Sequence, residues 1–164
     1  MNRTLIALGL GLVLGAAGWL IAEKEATLAD GKLVLLELAP VDPRSLIQGD
    51  YMQLSYAIAR DAFDADAPDD GYLILKLDAD QVGKRVRFDK GEPLGEGELR
   101  LRYRQRHGSV RLGAESFFFQ EGHADLFDKA RYGELRVAAN GESVLVGLRD
   151  AERRVLGPED RVHH

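Results

Sequence analysis

Glu98-Leu-Arg-Leu-Arg-Tyr-Arg-Gln-Arg106 alternates strictly between two kinds of side chain. Leu99, Leu101 and Tyr103 fall on one side, and Arg100, Arg102, Arg104 and Arg106 on the other. Successive strand residues point to opposite faces, so the pattern predicts a β-strand with one apolar and one basic face. His107-Gly108 follows as a hairpin turn, and Ser109–Leu112 returns beside it. A second hairpin is predicted where Asn140-Gly141 separates 134–138 from 143–148.

Other segments fit the same architecture. Leu33–Leu38 reads as a buried strand, ended by Pro40 and Asp42-Pro43 because proline lacks an N–H and restricts its predecessor. Further strands are predicted at Tyr51–Ala59, Tyr72–Leu77, Arg85–Phe88 and Ser116–Gln120. Gly122–Ala130 reads as a short helix with Leu126, Phe127 and Ala130 toward the core. The loops are 61–71 and 91–97, and the charged segment from Asp150 reads as a mobile tail. The expected fold class is mainly β (α+β), a compact antiparallel β domain with one or two short helices behind an N-terminal transmembrane helix.

That leading helix follows from Thr4–Ala22, which carries no charge. About 18 to 20 such residues at about 1.5 Å each nearly span a bilayer's hydrocarbon core. Arg3 before it and Glu23-Lys24-Glu25 after it favour a cytoplasmic N-terminus. The competing reading is a signal peptide cleaved near Ala17, after Gly15-Ala16-Ala17. The apolar run continues through Trp19, Leu20 and Ile21, which favours an uncleaved anchor. Four glycines in the run argue against a soluble helix. The expected division is an anchor at 1–25, an exported domain at 26–150 and a polar tail at 151–164. The domain is long enough for one core. The chain has no cysteine, and its net charge of −5 argues against nonspecific nucleic-acid binding.

Gly49-Asp-Tyr-Met-Gln-Leu-Ser-Tyr56 follows the turn Asp42-Pro43-Arg44. As a strand it places Asp50, Met52, Leu54 and Tyr56 on one face and Tyr51, Gln53 and Ser55 on the other. Gly49 can take the positive φ of a turn, and Asp50 can accept turn N–H groups or pair with Arg44. The physical reading is a structural corner that leads into a strand. The stretch is also similar to the GDYXXLXY family, whose name spells the pattern that Gly49, Asp50, Tyr51, Leu54 and Tyr56 match. Val41-Asp-Pro-Arg44, Phe117–His123 and Ala130–Val137 extend the likeness. The resemblance implies a single-pass bacterial inner-membrane protein with its C-terminal domain in the periplasm. It also implies a multipass membrane partner, and it brings no catalytic residues or cofactor with it. Type I signal peptidases share a Gly-Asp strand start behind an anchor. In that alignment, however, the nucleophile's position falls at Val41, which has no hydroxyl, and Lys76 and Lys84 lack a recognisable setting for a base.

The remaining candidates are weighed residue by residue. The arginine row (Arg100, Arg102, Arg104, Arg106, with Arg111 nearby) could meet lipid head groups, an anionic glycan or an acidic surface. The plainer reading is a charged strand face that discourages edge association. The Asp-rich stretch from Asp61 to Asp80 lacks the glycine and glutamate spacing of a calcium loop. His107 and His123 lack zinc-motif spacing, and His123 beside Glu121 and Asp125 fits a helix start. The expected function is a non-enzymatic accessory or binding module for a membrane partner, with Tyr51, Gln53 and the arginine row as its surface. The alternatives are an envelope hydrolase built from scattered residues near Asp50 and His123, or anionic lipid or glycan binding by the arginine face.

Overall fold

The computed structural model describes residues 3–39, 47–48, 51–60, 68–106, 109–120 and 122–157. Helix α1, Arg3–Asp30, leads into β1, Lys32–Glu37. Two short strands follow, β2 (Ile47–Gln48) and β3 (Tyr51–Gln53), then the helical turn α2 (Ala57–Arg60). The middle of the chain forms β4 (Asp70–Leu77), β5 (Gly83–Phe88), β6 (Glu98–Arg106) and β7 (Ser109–Arg111). The chain continues through β8 (Ser116–Phe118), a 3-10 turn at Ala124–Leu126, β9 (Tyr132–Val137), β10 (Ser143–Arg149) and β11 (Val155–Leu156).

The strands form three sheets, ordered β1-β9-β10-β11, β5-β4-β6-β7 and β2-β3-β8, and every pairing within them is antiparallel. This is the mainly β architecture that the alternating patterns predict. Val34 and Leu36 of β1, Leu73 and Leu75 of β4, Leu101 and Tyr103 of β6, Leu135 of β9 and Leu148 of β10 are almost completely buried together. Fully burying one such side chain contributes about 1.5–3 kcal/mol, so this shared core dominates the stability of the domain. Short bridges join the sheets. Leu35 N donates to Gln81 O at 2.8 Å, and Arg102 N donates to Gly141 O at 2.8 Å.

The β9–β10 turn differs from a two-residue Asn-Gly hairpin. Gly141 N donates to Ala138 O at 2.9 Å, and Gly141 alone in the turn takes a positive φ, +83°. Asn140 Oδ1 accepts from Glu142 N at 3.0 Å. A type I turn followed by a left-handed glycine has this geometry.

Several boundaries move. The strand expected at Tyr51–Ala59 ends at Gln53, because Ser55 O and Tyr56 pair with Ala39 N and Leu38 beyond β1 and the chain then turns into α2. The helix expected at 122–130 is a single 3-10 turn. It buries Phe127 against Phe117 and Phe119, at 4.9 and 5.4 Å between centroids, and leaves Leu126 exposed. The charged segment after Asp150 is ordered through β11. Asp150 is buried, its carboxylate accepts from Arg154 N and Nε, and Arg153 pairs with Asp80 at 3.1 Å. His107-Gly108, residues 61–67, Glu121 and residues 158–164 lie outside the described residues.

Helix α1 does not stop at the first charges after the apolar run. It continues through Asp30 and packs its last turns on the β9–β10 hairpin. Thr27 is buried, Gly31 O accepts from Arg136 Nη1 at 3.2 Å, and Lys24 pairs with Glu142 at 3.5 Å. Ala138–Asn140 runs back along the helix from Gly31 toward Glu23, so the turn points toward the apolar end of α1. Strand β1 is antiparallel to β9 and therefore leads away from that end.

Acid should unfold this domain through a few carboxylates. A side-chain bond from Arg100 and the N–H of Gly91 hold Asp89 below its usual range. Arg87 and the N–H of Gly95 do the same for Glu98. Asp150 is lowered as well, because burial, which raises it, is outweighed by the bonds from Arg154. A group with a depressed folded pKa contributes stability that is complete above its unfolded value and lost as pH falls through the folded one. The melting temperature of the full chain in neutral detergent should therefore be flat above about pH 5 and fall steadily below about pH 4. Glu98→Gln should flatten part of that fall, whereas an unchanged acid profile in this variant would remove the Arg87–Glu98 pair from the explanation.

Candidate functional site

The motif stretch is built by two opposed demands. From Tyr51 to Tyr56, Met52, Leu54 and Tyr56 are buried, Gln53 is exposed, and Tyr51 and Ser55 are half-buried. The predicted division of faces therefore holds from Tyr51 to Tyr56, although the strand itself stops early. Arg44, Gly49 and Asp50 lie outside the described residues.

Tyr56 occupies the junction of the three sheets. Its backbone bridges to Leu38, just beyond β1. Its ring lies over Gly133 of β9, where a Cβ would come within 2.9 Å of ring carbon Cε1. Its hydroxyl donates to Ala114 O, between β7 and β8, at 2.6 Å. Burial, and secondarily the charge of Glu115, push the phenol far above its ordinary range, so it remains a neutral donor. Leu54 completes the same anchorage with a buried side chain and a backbone bond to Glu115 O at 2.7 Å. These two motif positions hold the fold together.

Tyr51 behaves differently. It faces outward on β3 and pairs with Phe118 on β8, with centroids 5.8 Å apart. Phe118 is 71 % exposed, the middle of three consecutive phenylalanines of which Phe117 points into the core. Sequence reading did not single out Phe118, although period-two alternation requires the middle residue of such a triplet to face the other way. Beside this face, a cleft of about 310 Å³ is lined by Gln53, Ser55, Arg60, Arg111, Glu115 and Ser116, among others.

The arginine row is placed as predicted, outward on β6, and each member meets a carboxylate. Arg100 pairs with Asp89 at 2.5 Å, Arg102 with Glu142, and Arg104 and Arg106 with Asp70 at 3.8 and 3.4 Å. Glu142 also holds Lys24, and its carboxyl lies below the usual range because Arg102 and Lys24 outweigh the effect of its burial. The structure does not bring Tyr51 and Gln53 into this row; they lie on a separate sheet, and Arg111 borders both clefts. His123 is half-buried at the start of the 3-10 turn. Among the described residues, no three of His, Asp and Glu converge to hold a metal ion.

Two substitutions separate the roles within the motif. Tyr56→Phe removes the bond to Ala114 and leaves a buried carbonyl unpaired, which should cost about 1–3 kcal/mol in denaturant unfolding. Tyr51→Ala removes an outward aromatic contact and should cost no more than about 1.5 kcal/mol. Equal losses for the two variants would contradict this division.

A search of curated proteins and a search of solved structures each return no match. The family model described as GDYXXLXY protein matches residues 13–148. That span takes in α1 from Val13, strands β1 to β9, β10 as far as Leu148 and the motif at 49–56, and on this match the chain belongs to the GDYXXLXY family.

Proposed function

We propose that this protein is a non-enzymatic accessory module, anchored in a bacterial inner membrane by α1, whose periplasmic domain binds a multipass membrane protein through the face carrying Tyr51, Gln53 and Phe118. The observation that carries this reading is the split within the motif. Leu54 and Tyr56 are consumed by the core, while Tyr51 faces outward and packs at a tilt against a Phe118 that is largely exposed. A large aromatic ring held outside a domain that buries its other described phenylalanines at least in part is a typical anchor for a protein partner.

The anchor reading has its own support. The apolar window of α1 is wholly exposed, with Leu12 and Trp19 each 75 % accessible, so this helix is not a core element of the domain. Such a surface requires an apolar solvent. Cleavage near Ala17 would leave Trp19, Leu20 and Ile21 on a stub attached to the domain through Lys24 and Thr27. The face with Tyr51 lies toward the far end of β1, since Tyr56 bridges to Leu38. Six residues of β1 correspond to about 20 Å, so the partner would be met outside the bilayer, by its extramembrane loops.

Crosslinked co-purification of the full-length protein from its native membranes tests this. The wild type should recover a specific multipass membrane protein through stringent washing. Tyr51→Ala/Phe118→Ala should lower that recovery by at least about tenfold while keeping its melting transition. Equal recovery by the double variant would contradict the assigned face.

A further inference from the structure

We propose that the cleft between the β6–β7 hairpin and the β9–β10 turn binds the phosphate of an anionic phospholipid head group, with Arg104, Arg106 and Arg111 as its donors. The cleft has a volume of about 660 Å³, and Arg102, Glu115 and Glu142 also line it. Among the described residues, its arginines outnumber the carboxylates available to them. Glu115 is turned back onto its own loop, where it accepts from Leu112 N and, at 3.1 Å, from Gly113 N. Glu142 is shared between Arg102 and Lys24. Among the described residues, Asp70 alone serves both Arg104 and Arg106, at the long distances of 3.8 and 3.4 Å. Arg111 has no ion pair among the described residues.

The strand register sharpens the point. Arg104 lies directly opposite Arg111 in the β6–β7 pair. Residues opposite one another in an antiparallel pair project to the same side, and like charges there repel. An anion seated between the two guanidinium groups turns that repulsion into two attractions. Phosphate oxygens match the planar fork of arginine, and Arg106, two residues along the same face, supplies a third set of donors. Phe88 and Tyr103 close the inner side of the strand, so the arginines can only present outward.

The site's place relative to α1 selects a lipid as the source of that phosphate. Glu142 joins Arg102 directly to Lys24, which follows the apolar run by two residues. If α1 crosses a bilayer, Lys24 and the β9–β10 turn stand at head-group level, and Arg104 follows Arg102 by about 7 Å along the strand. Basic side chains at that depth attract anionic lipid. This step rests on the anchor reading of α1, whereas the surplus of donors does not.

The test uses full-length protein in an uncharged detergent, titrated with phosphatidylglycerol or phosphatidylcholine, with retained lipid counted by native mass spectrometry. Membrane retention through an alkaline wash is scored in parallel, so failure of the anchor is seen separately from failure of the cleft. The wild type should retain phosphatidylglycerol in preference to phosphatidylcholine. Arg104→Gln/Arg106→Gln/Arg111→Gln should bind it about a hundredfold more weakly, about fivefold for each arginine. Without lipid, Arg111→Gln should melt no lower than wild type, because it removes a like-charge neighbour. Undiminished retention by the triple variant, or equal retention of phosphatidylcholine, would overturn the proposal. Full displacement by millimolar inorganic phosphate would replace the lipid with a free phosphate, and a clear destabilisation by Arg111→Gln would make the arginine structural.

Discussion

The contact between the Tyr56 ring and Gly133 is the constraint on which the rest of the domain depends. Only a residue without a Cβ lets β9 approach the ring so closely, and the approach brings the phenol hydroxyl within 2.6 Å of Ala114 O. One side chain thereby fixes the relation of β9, the end of β1 and the β7–β8 connection. Small sheets need such ties: β2-β3-β8 pairs only a few residues per strand and could not persist by itself. Leu54 and Met52 fill the space beneath it, and Phe117 and Phe127 close the far side. The described part of the motif is thus first a device for packing three sheets, and its outward residues Tyr51 and Gln53 face away from that core.

A second coupling joins the domain to its helix. Because α1 runs unbroken from its apolar segment to Asp30 and lies along the β9–β10 turn, no flexible linker separates them. The Lys24–Glu142–Arg102 chain of charges extends that coupling to the second sheet. Exposed pairs of this kind contribute little stability individually. Their consequence is geometric, since they set which side of the domain faces the apolar end of the helix. The arginine cleft borders that side, and the motif junction lies at the opposite end of β1. The proposed partner face and the proposed lipid site are therefore separate clefts that meet at Arg111 and Glu115.

Much of this was legible in the residues. The alternation of Glu98–Arg106 predicts the buried Leu99, Leu101 and Tyr103 and the outward arginines, because a half-buried strand leaves no other arrangement. The motif's face assignment was legible for the same reason. What escaped was whatever depends on a distant partner. The early end of β3 comes from the pairing of Ser55 and Tyr56 with Ala39 and Leu38 beyond β1, and the turn at Ala124–Leu126 is set by the fit of Phe127 between Phe117 and Phe119. The carboxylates facing the arginine row lie as many as 40 positions away along the chain. The ordered segment after Asp150 was hidden by its charge, since its strand of two residues depends on a positive φ at Arg153 and on the buried Asp150. The continuation of α1 could have been read, because Glu23–Asp30 is rich in good helix formers, but the charges there resemble the end of an element.

The central claim, that the second half of the motif belongs to the most stable core of the domain, is tested most directly by native-state hydrogen exchange. The amides of Leu38, Ala39 and Leu54 donate to Arg131 O, Ser55 O and Glu115 O around Tyr56. They should exchange only through global unfolding, with the same free energy and denaturant dependence as the central amides of β4 and β9. Exchange of these three amides by a local opening, well before β4 and β9, would contradict the account and make the motif a mobile surface element rather than the junction of the fold.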